Sequence, residues 1–246
     1  MKAIVLSCDK YHPITNHMIL TYEKLWPSNK LTYRIPWNNK YPQDIVDTFG
    51  DKVEPINTPL EFKKTIFGLI EDLDDEEWIF WCSDDTYLVD INEEEATKTL
   101  EFVKSLKNSE ICGVTFGYIR QVPYNINQDN IIKYKDLKFI QRTKLTNQWA
   151  HQFWKVKILK NMFKYLDEAP KYQAKEMDYM LHEKNPFWEY VSDKQMYTLD
   201  HNAGIWGEST HRGDLTRNCI DSFKDYNLSL PLDFKTSSAT IGRAHV

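Results

Sequence analysis

Glycine is scarce in this chain, with eight residues in 246, and none falls in the spacing of a P-loop or a dinucleotide fingerprint. A Gly-rich phosphate cradle is therefore excluded. Cysteine is equally thin: Cys8, Cys82, Cys112 and Cys219 are far apart and form neither a CxxC pair nor a Cys/His ladder. That leaves no structural zinc site and no disulfide framework, and it fits a reducing cytoplasm. The longest purely apolar run, Trp78 to Cys82, falls far short of the roughly 20 residues of a membrane span, and the apolar start reaches Asp9 too soon for a signal peptide. A basic excess is missing as well. With 36 acids against 31 bases the net charge is -5, which opposes counterion release from nucleic acid and excludes it as a partner.

Aromatic residues are what the chain has in quantity: eight Trp, 14 Tyr and 12 Phe, or 14%. Such rings serve both as core material and as flat surfaces for sugars. Apolar residues at 41% and charged residues at 27% are ordinary globular usage and give ample core.

Periodicity orders the first half of the chain. Ala3 to Leu6 is a continuous branched apolar run, the mark of a strand covered on both faces. Ile14, Met18, Tyr22, Leu25 and Trp26 follow at helical spacing until Pro27 stops them. Leu31 to Ile35 is a second strand, and Pro36 to Pro42 a polar, aromatic loop. Thr58, Pro59 and Glu61 predict a helix start of the capping-box type, with Phe62, Ile66, Leu69, Ile70 and Leu73 as its buried stripe. Trp78 to Cys82 is another buried strand, Asn92 with Glu93, Glu94 and Glu95 caps another helix, and Ile111 to Phe116 is a further strand. Alternation of this kind predicts a mostly parallel α/β sheet with its ligand beyond the carboxyl ends of the strands.

The rest is less regular. Residues 117 to 148 read as loops and short strands, Trp149 to Trp154 as a strand, and Ile158 to Leu166 and Tyr172 to Glu183 as helices. Val191 to Leu199 reads as a late strand, and everything after about 200 as irregular. No Gly-, Pro- or Ser-rich linker interrupts the chain, so one domain over 1 to 246 is expected, with a first half to 116 and a second half beyond it.

The chemistry begins at Ser83-Asp84-Asp85, two adjacent acids at the end of a buried strand. Such a site attracts a divalent cation of the magnesium or manganese type, which takes carboxylate, water and phosphate oxygens. Neighbouring side chains on a regular strand point to opposite faces, so a shared metal requires the chain to turn there. The plain alternative is a pair of turn-capping acids.

Three segments in order, Ser7-Cys8-Asp9-Lys10-Tyr11, Trp78 to Leu88 and Trp149 to Phe163, resemble the nucleotide-sugar glycosyltransferases of the GT-A fold, over roughly residues 1 to 185. The resemblance implies a Rossmann-like, mostly parallel central sheet flanked by helices, and a UDP-linked donor. It implies Mn2+ or Mg2+ on a DXD-like motif, with Asp85 as direct ligand and Asp84 beside it; Ser83 stands where the family has its first acid. It places Ser7, Asp9 and Tyr11 on the nucleotide, with Cys8 as buried filling. Trp149, His151 and Trp154 fall in the segment that lines the acceptor site, although alternate residues there equally suit a core face. Glu176 or Asp178 is implied as general base if the reaction inverts; the sequence does not choose between them. His201 and His211 are candidate further metal ligands and Arg212 a diphosphate contact, within a segment that holds three of the eight glycines.

The expected activity is therefore transfer of a sugar from a nucleoside diphosphate to a saccharide or glycan hydroxyl, as in polysaccharide biosynthesis. The expected setting is cytoplasmic or peripheral to the inner face of a membrane. Two other classes compete: a carbohydrate-binding protein on a degenerate transferase scaffold, and a metal-dependent phosphohydrolase in which Asp84-Asp85-Thr86 is the acid-and-Thr motif. A nucleotidyltransferase lacks its Gly-rich, Lys-containing loop, because Cys8-Asp9-Lys10-Tyr11 stands in its place.

Overall fold

A computed structural model of the chain describes residues 1–106, 109–117, 126–143, 149–164, 190–191 and 194–237. In chain order the elements are β1 (Lys2–Leu6), α1 (His12–Leu25), β2 (Thr32–Trp37), α2 (Gln43–Phe49), β3 (Val53–Asn57), α3 (Phe62–Ile70), β4 (Trp78–Ser83) and β5 (Thr86–Ile91). Then come α4 (Glu93–Ser105), β6 (Ile111–Thr115), β7 (Ile126–Tyr134), β8 (Leu137–Arg142), β9 (Gln152–Lys155) and α5 (Val156–Lys164). The chain ends with β10 (Gln195–Leu199), β11 (Gly204–Glu208), β12 (Thr210–His211), β13 (Asp214–Leu215) and α6 (Arg217–Asp225).

Nine strands form the main sheet, in the order β3-β2-β1-β4-β9-β6-β10-β8-β7. Only β9 and β8 run against the others, so the sheet is mixed but mostly one-directional. A smaller ribbon pairs β5 with β11, and β12 with β13 makes a hairpin.

Period-two alternation explains the layers. Ala3, Val5, Phe80, Cys82, Val114 and Phe153 turn to one face and meet α1, α4 and α6 through residues such as Ile14, Met18, Leu100, Val103 and Phe223. Their neighbours Ile4, Ile79, Trp81, Cys112 and Trp154 turn to the other face and meet α3 and α5 through Ile66, Leu69, Ile158 and Leu159. Helices thus cover both faces. Because the connections from β1 build outward to β2 and β3 while β4 lies on the other flank of β1, the strand order reverses between β1 and β4, which creates a crevice at their carboxyl ends.

Several local expectations are corrected. Helix α3 starts after Glu61 rather than at Thr58, and Glu61 makes no side-chain cap. Thr58 instead accepts from the Asn38 amide, while Thr65 donates to the Pro59 carbonyl, so Thr58 ties two loops together. Within the stretch read as loops and short strands, residues 126–142 form one long antiparallel hairpin. The tail is regular as well. Its ribbon β11 needs Gly207, because a Cβ there would lie 2.6 Å from the Tyr87 ring. Its last helix α6 is capped by Thr216, whose hydroxyl accepts from the Cys219 N–H.

Candidate active site

At the reversal point β4 pairs with β1 as far as Leu6 opposite Ser83, and the Asp84 N–H then donates to the Leu6 carbonyl at 3.1 Å. Here the chain turns sharply into β5, so Asp84 and Asp85 stand at the carboxyl end of the sheet. Asp84 is only 7% exposed and its Oδ2 has no hydrogen-bond partner. The Ser7 hydroxyl lies close enough to this carboxyl group to favour its ionised form. Desolvation, reinforced by the adjacent Asp85 charge, pushes the Asp84 pKa well above the usual carboxylate range. Desolvation also raises the pKa of Asp85, whose side chain solvent still reaches.

An unpaired, buried carboxylate beside a second acid is unfavourable unless positive charge is supplied. A divalent cation fits that need. Among the described residues no group of three His, Cys, Asp or Glu side chains stands ready to hold one, so protein ligation would rest on the two aspartates. Water and phosphate oxygens complete such a shell in sites of this type.

Three sequence-selected residues gather around the acids. Ser7 follows β1, with its hydroxyl 2.8 Å from that of Thr15. Tyr11 is half-buried, and its pKa is raised by burial and then by the negative charges of Asp84 and Cys8, followed by Asp85. Thr210 lies beside its hydroxyl and opposes that rise. Cys8 is exposed beside Asp84, not buried filling, because the chain leaves the sheet at Ser7 before reaching it.

Asp9 has a different task. Its two carboxylate oxygens accept from the N–H groups of Asn38, Asn39 and Lys40 at 2.7–2.9 Å, clamping the loop after β2. Burial opposes its ionisation, but those three bonds outweigh it and lower the pKa. It shapes the site's rim through that loop.

The tail supplies the opposite wall. The Ser209 N–H donates to the Asp85 carbonyl at 2.6 Å, which anchors the β12–β13 hairpin beside the acids. His211 ends β12, and Arg212 with Gly213 forms the two-residue turn at φ +52° and +86°, the dihedral signs of a type I′ hairpin. Arg212 is exposed at the tip. Beyond α6 the chain returns along this hairpin: the Leu215 N–H donates to the Lys235 carbonyl, and Phe234 packs edge-on against Tyr11 at 5.0 Å. Lys10 brings its ammonium 4.7 Å from the Phe234 ring. Ser209, Thr210 and Phe234 escaped sequence reasoning because an isolated Phe and two hydroxyls in an aperiodic stretch carry no pattern.

Three candidates lie elsewhere. His201 sits at the other end of the β5–β11 ribbon, past Gly204 opposite Ile91, whereas Asp85 precedes Thr86 opposite Glu208. Five residue steps at about 3.4 Å put roughly 17 Å of ribbon between these ends, which removes His201 from any metal at Asp85. It binds Asp200 at 2.6 Å and Glu95 at 3.0 Å instead. Trp154 is fully buried, with its ring stacked on Trp81 at 6.2 Å, so it is core and not an acceptor platform. His151 is buried too and faces Tyr22 and the Ser83 backbone. Only Trp149 of that trio is half-buried at the surface, where its ring edge meets Phe62. Glu176 and Asp178 lie outside the described residues.

No known protein family and no curated protein matches the sequence. Solved structures do match the fold. S. aureus TarS aligns with 82% of this chain and 35% of its own at 13% identity and a TM-score of 0.51. CMP:2-keto-3-deoxy-manno-octonic acid synthetase complexed with CTP aligns with 92% of this chain and 97% of its own, at 10% identity and a TM-score of 0.49. Galactosyltransferase LgtC in complex with donor and acceptor sugar analogs aligns with 92% and 94%, at 11% identity and a TM-score of 0.44. At these identities the likeness speaks for architecture alone. The large, mostly one-directional sheet between two helical layers agrees with the GT-A arrangement expected from the sequence.

Proposed function

We propose that this chain is a glycosyltransferase that moves a sugar from a nucleoside-diphosphate donor to a saccharide hydroxyl, with Mn2+ or Mg2+ held by Asp84 and Asp85. The observation that carries this reading is the buried Asp84 carboxyl group, whose Oδ2 has no hydrogen-bond partner, at the reversal point of the sheet and next to a second acid. A cation bound there would neutralise charge that develops on the departing diphosphate.

The protein's own residues do the rest. Tyr11 offers an aromatic face for a nucleobase or ribose, Ser7 orients Asp84, and the loop clamped by Asp9 frames the nucleotide. Arg212 and Lys10 are the nearby cations suited to diphosphate oxygens, with His211 close at hand. Arg212 holds a left-handed backbone conformation that disfavours a non-Gly residue, and such strain is concentrated at functional positions. Trp149 is the remaining candidate for stacking on an acceptor sugar. If transfer inverts the anomeric centre, Glu176 or Asp178 takes the acceptor proton; if it retains, neither is required.

A UDP-linked donor is the reading to test first. Purified protein incubated with a panel of nucleotide sugars and Mn2+ should release nucleoside diphosphate, and Asp85→Ala should stop that release. No donor binding and no release with any member of the panel would overturn the proposal.

A further inference from the structure

A polar chain crosses the core behind the acidic turn. The Trp206 indole N–H on β11 donates to the Tyr22 hydroxyl at 2.8 Å. Tyr22, fully buried on α1, lies 2.5 Å from His151 Nδ1. His151 Nε2 then lies 3.0 Å from the Ser83 carbonyl and 3.1 Å from the Ser83 N–H.

Donor counting gives the chain a direction. Indole N–H is a donor only, so the Tyr22 oxygen accepts from Trp206 and its own proton goes to Nδ1. With the Tyr22 proton accepted at Nδ1, the neutral imidazole carries its own proton on Nε2 and donates to the Ser83 carbonyl; the Ser83 N–H, 3.1 Å from the same nitrogen, donates to it only in the opposite tautomer. Burial holds the ring neutral by lowering its pKa to about 4.

Strand register explains why a side chain is needed there. Strand β9 pairs Gln152 with Trp81, so the backbone opposite Ser83 would be that of Ala150, which has already left the sheet. The imidazole takes the place of the missing strand neighbour at the last residue before Asp84.

We propose that His151 is a positioning residue for the Asp84-Asp85 turn, held in its Nε2–H form by Tyr22 and Trp206, so that the β5–β11 ribbon and the acidic turn are set by one hydrogen-bonded chain. The inference rests on the metal-binding reading above for its functional consequence, but not for its structure. Residues that orient metal ligands through a second hydrogen bond typically change metal affinity about 10–100-fold when removed.

The test has two readouts. In metal-free protein, nitrogen-15 NMR of the His151 ring should show a neutral Nε2–H tautomer, and Tyr22→Phe should change it and shift the Asp84 and Asp85 amide resonances. A predominant Nδ1–H tautomer, or unmoved Asp84 and Asp85 amides, would overturn the chain whatever the protein's activity. In Mn2+ titrations, His151→Leu should weaken binding about tenfold or more, and His151→Gln, which keeps a donor toward Ser83, should recover part of it. Equal affinity in wild type and His151→Leu, with wild type binding Mn2+, would overturn the positioning role. Absence of Mn2+ binding in folded wild type would instead contradict the metal reading and leave the NMR result to decide the chain.

Discussion

The two ends of the β5–β11 ribbon place opposite demands on charge. One end holds Asp84 and Asp85 with an orphaned carboxylate oxygen, pKa values raised by desolvation, and no ion pair to either acid among the described residues. The other holds His201 already satisfied by Asp200 and Glu95. The first arrangement is unstable without a ligand and the second is complete in itself. A histidine beside acids is thus no sign of a metal site when its partners neutralise it, whereas an acid pair with an orphaned oxygen is where the proposed cation can be tested.

Replacing the acids should produce the largest effects. Asp85→Asn is expected to reduce turnover by about 100-fold or more, the scale seen when one preorganised electrostatic element is removed; steady-state assay of nucleoside diphosphate release checks this. Turnover unchanged in that variant would erase the difference between the ribbon's ends.

Next in size is the response of stability to pH and metal. A carboxyl group whose pKa is raised in the folded state binds its proton more tightly there, so its contribution is favourable at low pH and is lost as pH rises through the folded pKa. Metal-free wild type should therefore lose Tm relative to Asp84→Asn as pH rises from about 4, and Mn2+ at about 100 times its Kd should restore about 2.7 kcal/mol to wild type alone. Differential scanning calorimetry across pH resolves both.

Arg212→Gly separates strain from function. Relief of the left-handed conformation at φ +52° should raise stability by up to about 1 kcal/mol, while affinity for a nucleoside diphosphate falls. A loss of stability with affinity retained would assign Arg212 to the hairpin alone.

The smallest effect belongs to the far end. Burial works against protonation of His201, but hydrogen bonds to Asp200 and Glu95 prevail and raise its pKa. A raised histidine stabilises the fold below its unfolded pKa of about 6.5 and loses that contribution as pH climbs through the folded value. Its side chain is 46% exposed, so His201→Gln should cost no more than about 1 kcal/mol at pH 6, less at pH 8, with Mn2+ affinity unchanged.

What the sequence disclosed follows the strength of its periodic signals. Trp78 to Cys82 announces a buried strand through five apolar residues in a row, and Asn92 announces α4 through a cap that the structure retains, its Oδ1 accepting from the Glu95 N–H. The position of Asp84 and Asp85 at a strand end followed from these. The tail gave no such warning, since β12 and β13 have two residues each and α6 buries only Cys219 and Phe223. Trp154 and His151 show a further limit. Alternation placed them on definite faces of a strand, but whether a face meets solvent or a helix depends on which strands flank it, and β9 lies between β4 and β6 in mid-sheet. Local pattern contains no information on that neighbourhood.

The most direct test is a calorimetric titration of UDP into wild type and Asp85→Asn, each with and without Mn2+. The account predicts that Mn2+ strengthens UDP binding at least about tenfold in wild type, the lower end of what metal-site perturbations produce, and leaves Asp85→Asn unchanged. Wild type and variant binding UDP alike, with no response to Mn2+ in either, would contradict it.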